Sequence, residues 1–339
     1  MDIFYELLLN VVSTGASSIA GMLKKRMPLE KSGKDSQIER IDRRMSMGIA
    51  KRDGKYKLAL LVERADSWAL EKAEQHESRE PSVIVEVTGK AYSAHPNKKI
   101  NVTPQKRLSL GISIGHFRGN AGTLGGFVEV YDNGKKLPAL IGSSHVLSMI
   151  NTGEKNDDII HPGWPDGPRV FKNRIGKLTN YTYLVHYQQK GDALNREDIA
   201  IVRPIEEKMI PSANLVPNPK DQKRRIKLKG CIPSDKLFEQ LGESVYKLGR
   251  NGFSEGTLEV VNVPQYSVQF PNGKVYIFQD VGAVKNKGGH PFSKPGDSGS
   301  IIYNSAGQAI GTVLGASSTH SFFVPLSTSL EAVEAELRY

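Results

Sequence analysis

The sequence predicts a mainly β protein: a pair of antiparallel barrels, preceded by a small α/β domain and an N-terminal helix. Short β-compatible runs recur between turn signals across residues 106–325, a texture that suits two barrels better than one sandwich. The 33 glycines among 339 residues supply the many turns such a fold requires. Helical spacing is confined to the two ends and to one stretch near residue 70.

At the N-terminus, Ile3, Leu7, Leu8 and Val11 repeat at helical spacing and predict an amphipathic helix over 3–24, weakened near Gly15. Asp2 and Glu6 stand where a signal peptide would carry basic residues. Asn10, Ser13, Thr14, Ser17 and Ser18 make the stretch too polar for a transmembrane span. Residues 27–47 read as a polar connector or surface helix. After the Asp53-Gly54 turn comes a strand over Tyr56–Val62, then an N-cap at Asp66 or Ser67 and a helix over Trp68–Gln75. Pro81 ends that helix and Val83–Val87 reads as a second strand, able to pair in parallel with the first through a right-handed crossover. Ala94–Gln105 is a linker candidate.

Beyond it, strands are expected at Leu108–Ile114, Gly126–Tyr131, Leu137–Ile141, Ile199–Val202, Val245–Leu248, Thr257–Val263, Val275–Val281, Ser300–Tyr303 and Gln308–Leu314. Asp132-Asn133-Gly134 and Pro271-Asn272-Gly273 look like hairpin tips. Leu326, Leu330, Val333 and Leu337 predict an amphipathic C-terminal helix over 326–338, with Thr328 and Glu331 as a capping-box pattern. The chain therefore divides into a helical, basic segment (1–45), a small α/β domain (46–100) and a double-barrel domain (101–339), its barrels at about 106–205 and 240–325.

A formal charge of +10 gathers in Lys24-Lys25-Arg26, in Arg40, Arg43 and Arg44, and in the run Lys223–Lys229. Without aromatic interleaving or a binding motif these read as solvated faces, and nucleic acid is not expected as a partner. The only cysteine, Cys231, excludes an intramolecular disulfide and favours a reducing, cytoplasmic location. No His-bearing motif stands near it, so a buried, inert thiol is expected. No cofactor and no metal are expected.

The sharpest local signal is Lys294-Pro295-Gly296-Asp297-Ser298-Gly299-Ser300. A serine hydroxyl needs a base to take its proton and donors to stabilise the oxyanion that follows. The loop Gly296-Asp297-Ser298 offers an oxyanion hole through the backbone N–H groups of Gly296 and Ser298. Upstream, Leu140-Ile141-Gly142-Ser143-Ser144-His145-Val146-Leu147 sets a histidine at the end of an apolar strand, suited to a general base. Between them Glu197-Asp198-Ile199-Ala200 sets an acid at the start of another, where it can fix the tautomer of the histidine. The order His145, Asp198, Ser298, with gaps of 53 and 100 residues, puts His and Asp in the first barrel and Ser in the second. An α/β-hydrolase elbow does not fit: Gly296-x-Ser298-x-Ser300 lacks the final glycine, and only His320 follows the serine.

These motifs resemble those of trypsin-like serine peptidases, most closely a bacterial and plant subgroup whose plant member is the narrow-leaf protein. The resemblance runs through Gly111–His116, Ala121–Gly126, Ser144-His145-Val146-Leu147, Ile160-His161-Pro162-Gly163, Tyr246–Arg250 with Gly256-Thr257, and Phe292–Ser300, covering roughly residues 45–335. It departs at Ser143-Ser144, where the subgroup commonly has asparagine before its histidine. It implies the double-barrel fold of two six-stranded antiparallel barrels, a His145-Asp198-Ser298 triad and peptide-bond hydrolysis. The acidic residue that selects Lys or Arg in trypsin-like enzymes, six positions before the serine, is Phe292 here. Val313-Leu314-Gly315 is expected to pair with a substrate backbone as an added strand, and His320 is a candidate pocket residue.

The function expected is a regulated serine endopeptidase acting on a narrow protein or peptide substrate. A regulated scaffold or pseudo-protease that binds a partner peptide without cutting it is the alternative. Residues 1–45 offer a place for a regulatory partner. With about 100 residues ahead of the first barrel strand, the oxyanion hole is expected to form without insertion of a freed N-terminus.

Overall fold

A computed structural model of the chain describes residues 45–63 and 83–339, apart from 97, 101, 133, 168–170 and 190–191. The helices expected over 3–24 and Trp68–Gln75 lie outside the described residues. The N-terminal strands are β1 (Met45–Arg52), β2 (Lys55–Val62), β3 (Val83–Val87) and β4 (Ala91–Tyr92). The first barrel contains β5 (Ser113–His116), β6 (Gly122–Thr123), β7 (Gly126–Asp132), β8 (Lys135–Gly142), the one-turn helix α1 (Ser144–Leu147), β9 (Asp158–Ile160), β10 (Arg174–Tyr181) and β11 (Ala200–Pro204). A hairpin of β12 (Leu215–Asn218) and β13 (Asp221–Lys227) follows. The second barrel contains β14 (Ser244–Gly249), β15 (Gly252–Val263), β16 (Tyr266–Gln269), β17 (Val275–Phe278), β18 (Val281–Asn286), β19 (Ile301–Asn304), β20 (Ala309–Ala316) and β21 (His320–Pro325). Helix α2 (Leu326–Ala332) and β22 (Ala335–Leu337) close the chain.

In the second barrel, β14, β15, β18, β21, β20 and β19 pair in sequence, and β19 returns to β14, closing a six-stranded antiparallel ring. Every strand of the ring is paired on both sides over part of its length, and β15 and β20 run on past β14 and β19 to pair with β1 and β4. The first barrel is one curled sheet in the order β7-β8-β11-β10-β9-β5-β6, with β22 added at the β7 edge. Together they form a trypsin-like double barrel. Ile114, Leu140, Ile159, Leu178 and Val202 fill the first core, and Val245, Leu258, Val284, Ile302 and Phe323 fill the second.

The N-terminal strands are tied to this frame. Positive φ at Asp53 (51°) and Gly54 (74°) makes the turn between β1 and β2, a conformation this dipeptide tolerates in hairpins. β2 and β3 pair in parallel from Leu58↔Val83 to Val62↔Val87, as the strand pattern predicts. β1, which the polar texture of residues 27–47 does not announce, pairs with β15 at Ile49↔Val261 and Ala50↔Val260. The small unit thus continues the sheet of the second barrel. β4 enters the same sheet between β16 and β20.

Several expected elements are corrected. The strand expected over Leu108–Ile114 begins only at Ser113, after Gly111 turns at φ 82°. The run Val275–Val281 is two strands, broken where Asp280 takes φ 55°. The C-terminal helix ends at Ala332 rather than 338, and Pro325 caps it without a side-chain bond, so Thr328 and Glu331 form no capping box. Glu334, at φ 50°, turns the chain into β22, where Ala335 and Leu337 are buried and Glu336 is exposed. Leu337 satisfies the helical spacing but is a strand residue, paired with Val128. Among the described residues no helix is long and apolar enough to cross a membrane.

Leu337 is 3% exposed in the first core. Leu337→Ala is expected to lower stability by about 2–5 kcal/mol, the range for truncating a core leucine, in chemical denaturation. A loss near zero would contradict docking of the tail on β7.

Candidate active site

The β8–β11 ladder registers Gly142 with Ala200. His145, in the helical turn just past β8, and Asp198, just before β11, therefore emerge side by side. Asp198 holds the histidine twice: its Oδ2 lies 2.5 Å from His145 Nδ1 and its Oδ1 accepts the His145 backbone N–H at 2.8 Å. Two bonds from one carboxylate fix the side chain and the turn that carries it. Phe270, buried between β16 and β17, stacks on the imidazole with centroids 4.8 Å apart and planes 25° apart.

Ser298 lies in the loop between β18 and β19, flanked by Gly296 (φ 94°) and Gly299 (φ 91°). A side chain at 296 would also meet Arg250 Cδ at 2.7 Å. Within the loop the N–H of Asp297 is given to Lys294 O, that of Gly299 to Val313 O and that of Ser300 to Asp297 O. Among the described residues the N–H groups of Gly296 and Ser298 have no partner. They are the two donors a hole for an oxyanion needs. Asp297, counted with them in the sequence reading, instead ties the loop together.

The cation facing Asp297 escaped sequence reasoning. Lys247 Nζ sits 3.0 Å from Asp297 Oδ2, and both side chains are almost wholly buried. The same carboxylate accepts the N–H groups of Asn251 and Lys294, each at 2.9 Å. Burial pushes the Lys247 ammonium below its ordinary pKa, and the Asp297 charge opposes that. A period-two signal was available: β14 buries Val245, Lys247 and Gly249 on one face. Thr123, also missed, joins the barrels. Its N–H donates to Ser298 O at 2.9 Å and its hydroxyl to Gly296 O at 2.8 Å, and that hydroxyl accepts the Arg250 N–H at 3.0 Å.

A second buried ion pair, Arg250 with Asp166, lies beside the loop. Asp166 also accepts Ser113 Oγ at 2.6 Å and the Ile100 N–H at 3.0 Å, while Arg250 Nη2 donates to Lys98 O at 2.6 Å. The expected linker is thereby drawn across the site. Ser93, not foreseen as a site residue, places its Oγ 2.8 Å from His145 Nε2. No hydrogen bond joins Ser298 to His145 among the described residues. A cavity of about 360 Å³ is bordered by Ser93, Ala94, His145, Trp164, Asn272 and Ser298.

The remaining sequence candidates are placed as follows. Phe292 is core, its carbonyl accepting Ser254 Oγ at 2.6 Å. Val313 is buried and exchanges backbone bonds with Gly299 and Ser300, and Leu314 is buried in a separate cluster. Gly315 lies against residue 92: a Cβ there would sit 2.8 Å from Tyr92 O. His320 is 1% exposed. Its Nε2 meets Glu259 Oε2 at 2.8 Å and its Nδ1 meets Thr319 Oγ1 at 2.8 Å. Glu86, Glu259 and His320 form a group with ligand-type atoms, but Lys285 bonds both carboxylates at 3.1 and 2.9 Å, and Arg52 pairs with Glu86. The charges are already balanced without an ion. Cys231 lies apart from the site, and burial pushes its thiol up to about 12.

No protein-family model and no curated protein matches the chain. Among solved structures it is similar to Thermobifida fusca Protease A, with 15% identity over 68% of this chain and 98% of that one, and a TM-score of 0.45. Nocardiopsis protease shows 17% identity over 69% of this chain and 100% of that one, TM-score 0.44. A glutamic-acid-specific serine protease, described as using a histidine triad in substrate binding, shows 16% identity over 68% and 100%, TM-score 0.44. The double-barrel fold itself is defined by the ring closure and strand order above.

Removing one partner of a buried ion pair costs about 3–5 kcal/mol, whereas replacing both by neutral groups is often near neutral. Lys247→Met is therefore expected to destabilise by that amount and Lys247→Met/Asp297→Asn to recover most of it, read by chemical denaturation. A single-variant loss below about 1 kcal/mol, the ordinary level for a point mutation, would contradict the pair's role. Cys231 is half-buried rather than buried as expected. With its thiol pushed up to about 12, it is expected to react with iodoacetamide at pH 8 more slowly in the native protein than after denaturation; equal rates would contradict its partial burial.

Proposed function

We propose that the chain is a serine endopeptidase in which Ser298 is the nucleophile, His145 the general base and Asp198 the residue that orients it. One observation carries the reading: His145, doubly bonded by Asp198 behind it, borders one cavity with Ser298, and the N–H groups of Gly296 and Ser298 are unspent. In the reaction, Ser298 Oγ attacks the scissile carbonyl as His145 Nε2 takes its proton. The oxyanion is received by the two N–H groups. His145 returns the proton to the leaving amine, and water cleaves the Ser298 ester by the same route in reverse, yielding a carboxylate and an amine.

The substrate class is an extended polypeptide that adds as a strand to the part of β20 that runs past β19, at Gly315–Ala316. A reducing compartment suits a chain whose only thiol is Cys231. The rival reading, a partner-binding pseudo-protease, draws on the Ser93 hydroxyl at His145 Nε2.

Fluorophosphonate labelling followed by peptide mass spectrometry separates the two. Modification at Ser298, absent in Ser298→Ala and accompanied by casein cleavage, is the expected result. No modification, or modification elsewhere, would favour the pseudo-protease. Asp198→Asn, which keeps the shape but mis-sets the tautomer, is expected to lower kcat by about 10⁴-fold, the loss typical of such triads, without loss of fold. A change under tenfold would remove Asp198 from the mechanism.

A further inference from the structure

Residues 91–96 lie where a substrate would have to lie. β4 fills the gap between β16 and β20, parallel to the first (Val268↔Ala91, Gln269↔Tyr92) and antiparallel to the second (Ala316↔Tyr92). The Ser93 N–H continues the β16 pairing with a 3.0 Å bond to Gln269 O. Ser93 Oγ then meets His145 Nε2, and Ala94 and His95 border the cavity shared with Ser298. Farther on, the chain is pinned by Arg250 at Lys98 O and by Asp166 at the Ile100 N–H. Upstream it is held at Thr88 O by Thr319 Oγ1, at 2.9 Å.

Two exclusions follow. The β20 edge at Ala316 accepts one antiparallel neighbour, so β4 and an added substrate strand compete for it. Nε2 of a histidine protonated at Nδ1 has one lone pair, so it cannot accept a proton from Ser298 while it holds the Ser93 hydroxyl. We propose that residues 91–96 are an internal strap that occupies the substrate groove and caps the base, and that a polypeptide reaches Ser298 only by displacing it. This rests on the peptidase reading above and assigns the regulation of that site.

The strap is built for release. Its ladder contact with β20 is a single residue pair, and the Tyr92 side chain lies at the surface, 47% exposed. Ala91 and Ser93 are buried and held on the β16 side, whereas Tyr92, Ala94 and His95 are exposed. A segment held by one short ladder on each side opens below the cost of global unfolding. The anchors at Lys98 and Ile100 bond the barrels outside the groove, so the strap can leave the groove while staying tethered. In the docked state the competent fraction is small, and apparent substrate affinity falls by that fraction.

The test compares the rate of fluorophosphonate labelling at Ser298, and casein turnover, in three proteins. Ser93→Ala frees Nε2 and is expected to raise the labelling rate about threefold to tenfold over the wild type, the worth of one hydrogen bond. Tyr92→Cys/Ala316→Cys places a disulfide across a directly opposed strand pair, whose Cα spacing suits the bond; Cys231→Ser is added to both oxidised and reduced samples so that the one native thiol does not compete. Oxidation is expected to suppress casein turnover at least tenfold and reduction to restore it. Equal labelling of wild type and Ser93→Ala, with turnover indifferent to oxidation, would overturn the strap while leaving the peptidase reading intact. Slower labelling of Ser93→Ala would make Ser93 a positioning residue for His145 and overturn it equally. A cysteine pair that does not cross-link would contradict the docked register. No labelling of any of the three would remove the peptidase reading and the strap with it.

Discussion

A carboxylate 1% exposed to solvent cannot be left alone, and the turn that carries His145 is organised around the one at Asp198. Bringing it out of water costs several kcal/mol unless hydrogen bonds and a partner replace its hydration. It obtains both from the same residue, through the ring and the backbone N–H of His145. The requirement fixes the turn after β8 and makes the register of β8 on β11 matter. A one-residue slip would send either side chain to the other face of the sheet.

The serine-bearing loop is held by the same logic, with different charges. Asp297 is satisfied by Lys247 and two backbone donors, and Asp166 by Arg250, Ser113 and Ile100. Thr123 stitches the loop to the first barrel at both Gly296 and Ser298. The N–H groups of Asp297, Gly299 and Ser300 are committed, and those of Gly296 and Ser298 have no partner among the described residues. Lys247 supplies the internal cation that balances the buried Asp297 carboxylate in this loop.

Strands such as Gly126–Tyr131 and Val245–Leu248 were legible as short β-compatible runs between turn signals; the first is buried at its start and exposed at its end, the second buries one face with period two. His145, Asp198 and Ser298, the residues proposed for the chemistry, stood out in the sequence because each lies at a strand end or in a glycine-flanked loop. What escaped notice was set by tertiary pairing. β1 is polar in its approach and finds its partner on β15, Ile49 opposite Val261 and Ala50 opposite Val260, more than 200 residues away. Leu337 mimicked a helical position until Glu334 turned the chain. Lys247 and Asp166 look like surface charges in the sequence and are buried only because each has an opposite charge waiting for it. Ser93 had no local signal; only folding sets a polar linker residue against the histidine.

The most direct measurement of the central claim is the ¹⁵N and ¹H NMR of the His145 imidazole at neutral pH. The account requires the Nδ1–H tautomer, its proton held by Asp198 and its Nε2 acting as acceptor, with the Nε2 resonance shifting in Ser93→Ala. An imidazole protonated at Nε2, or one whose signals ignore both Asp198→Asn and Ser93→Ala, would contradict the account at its centre.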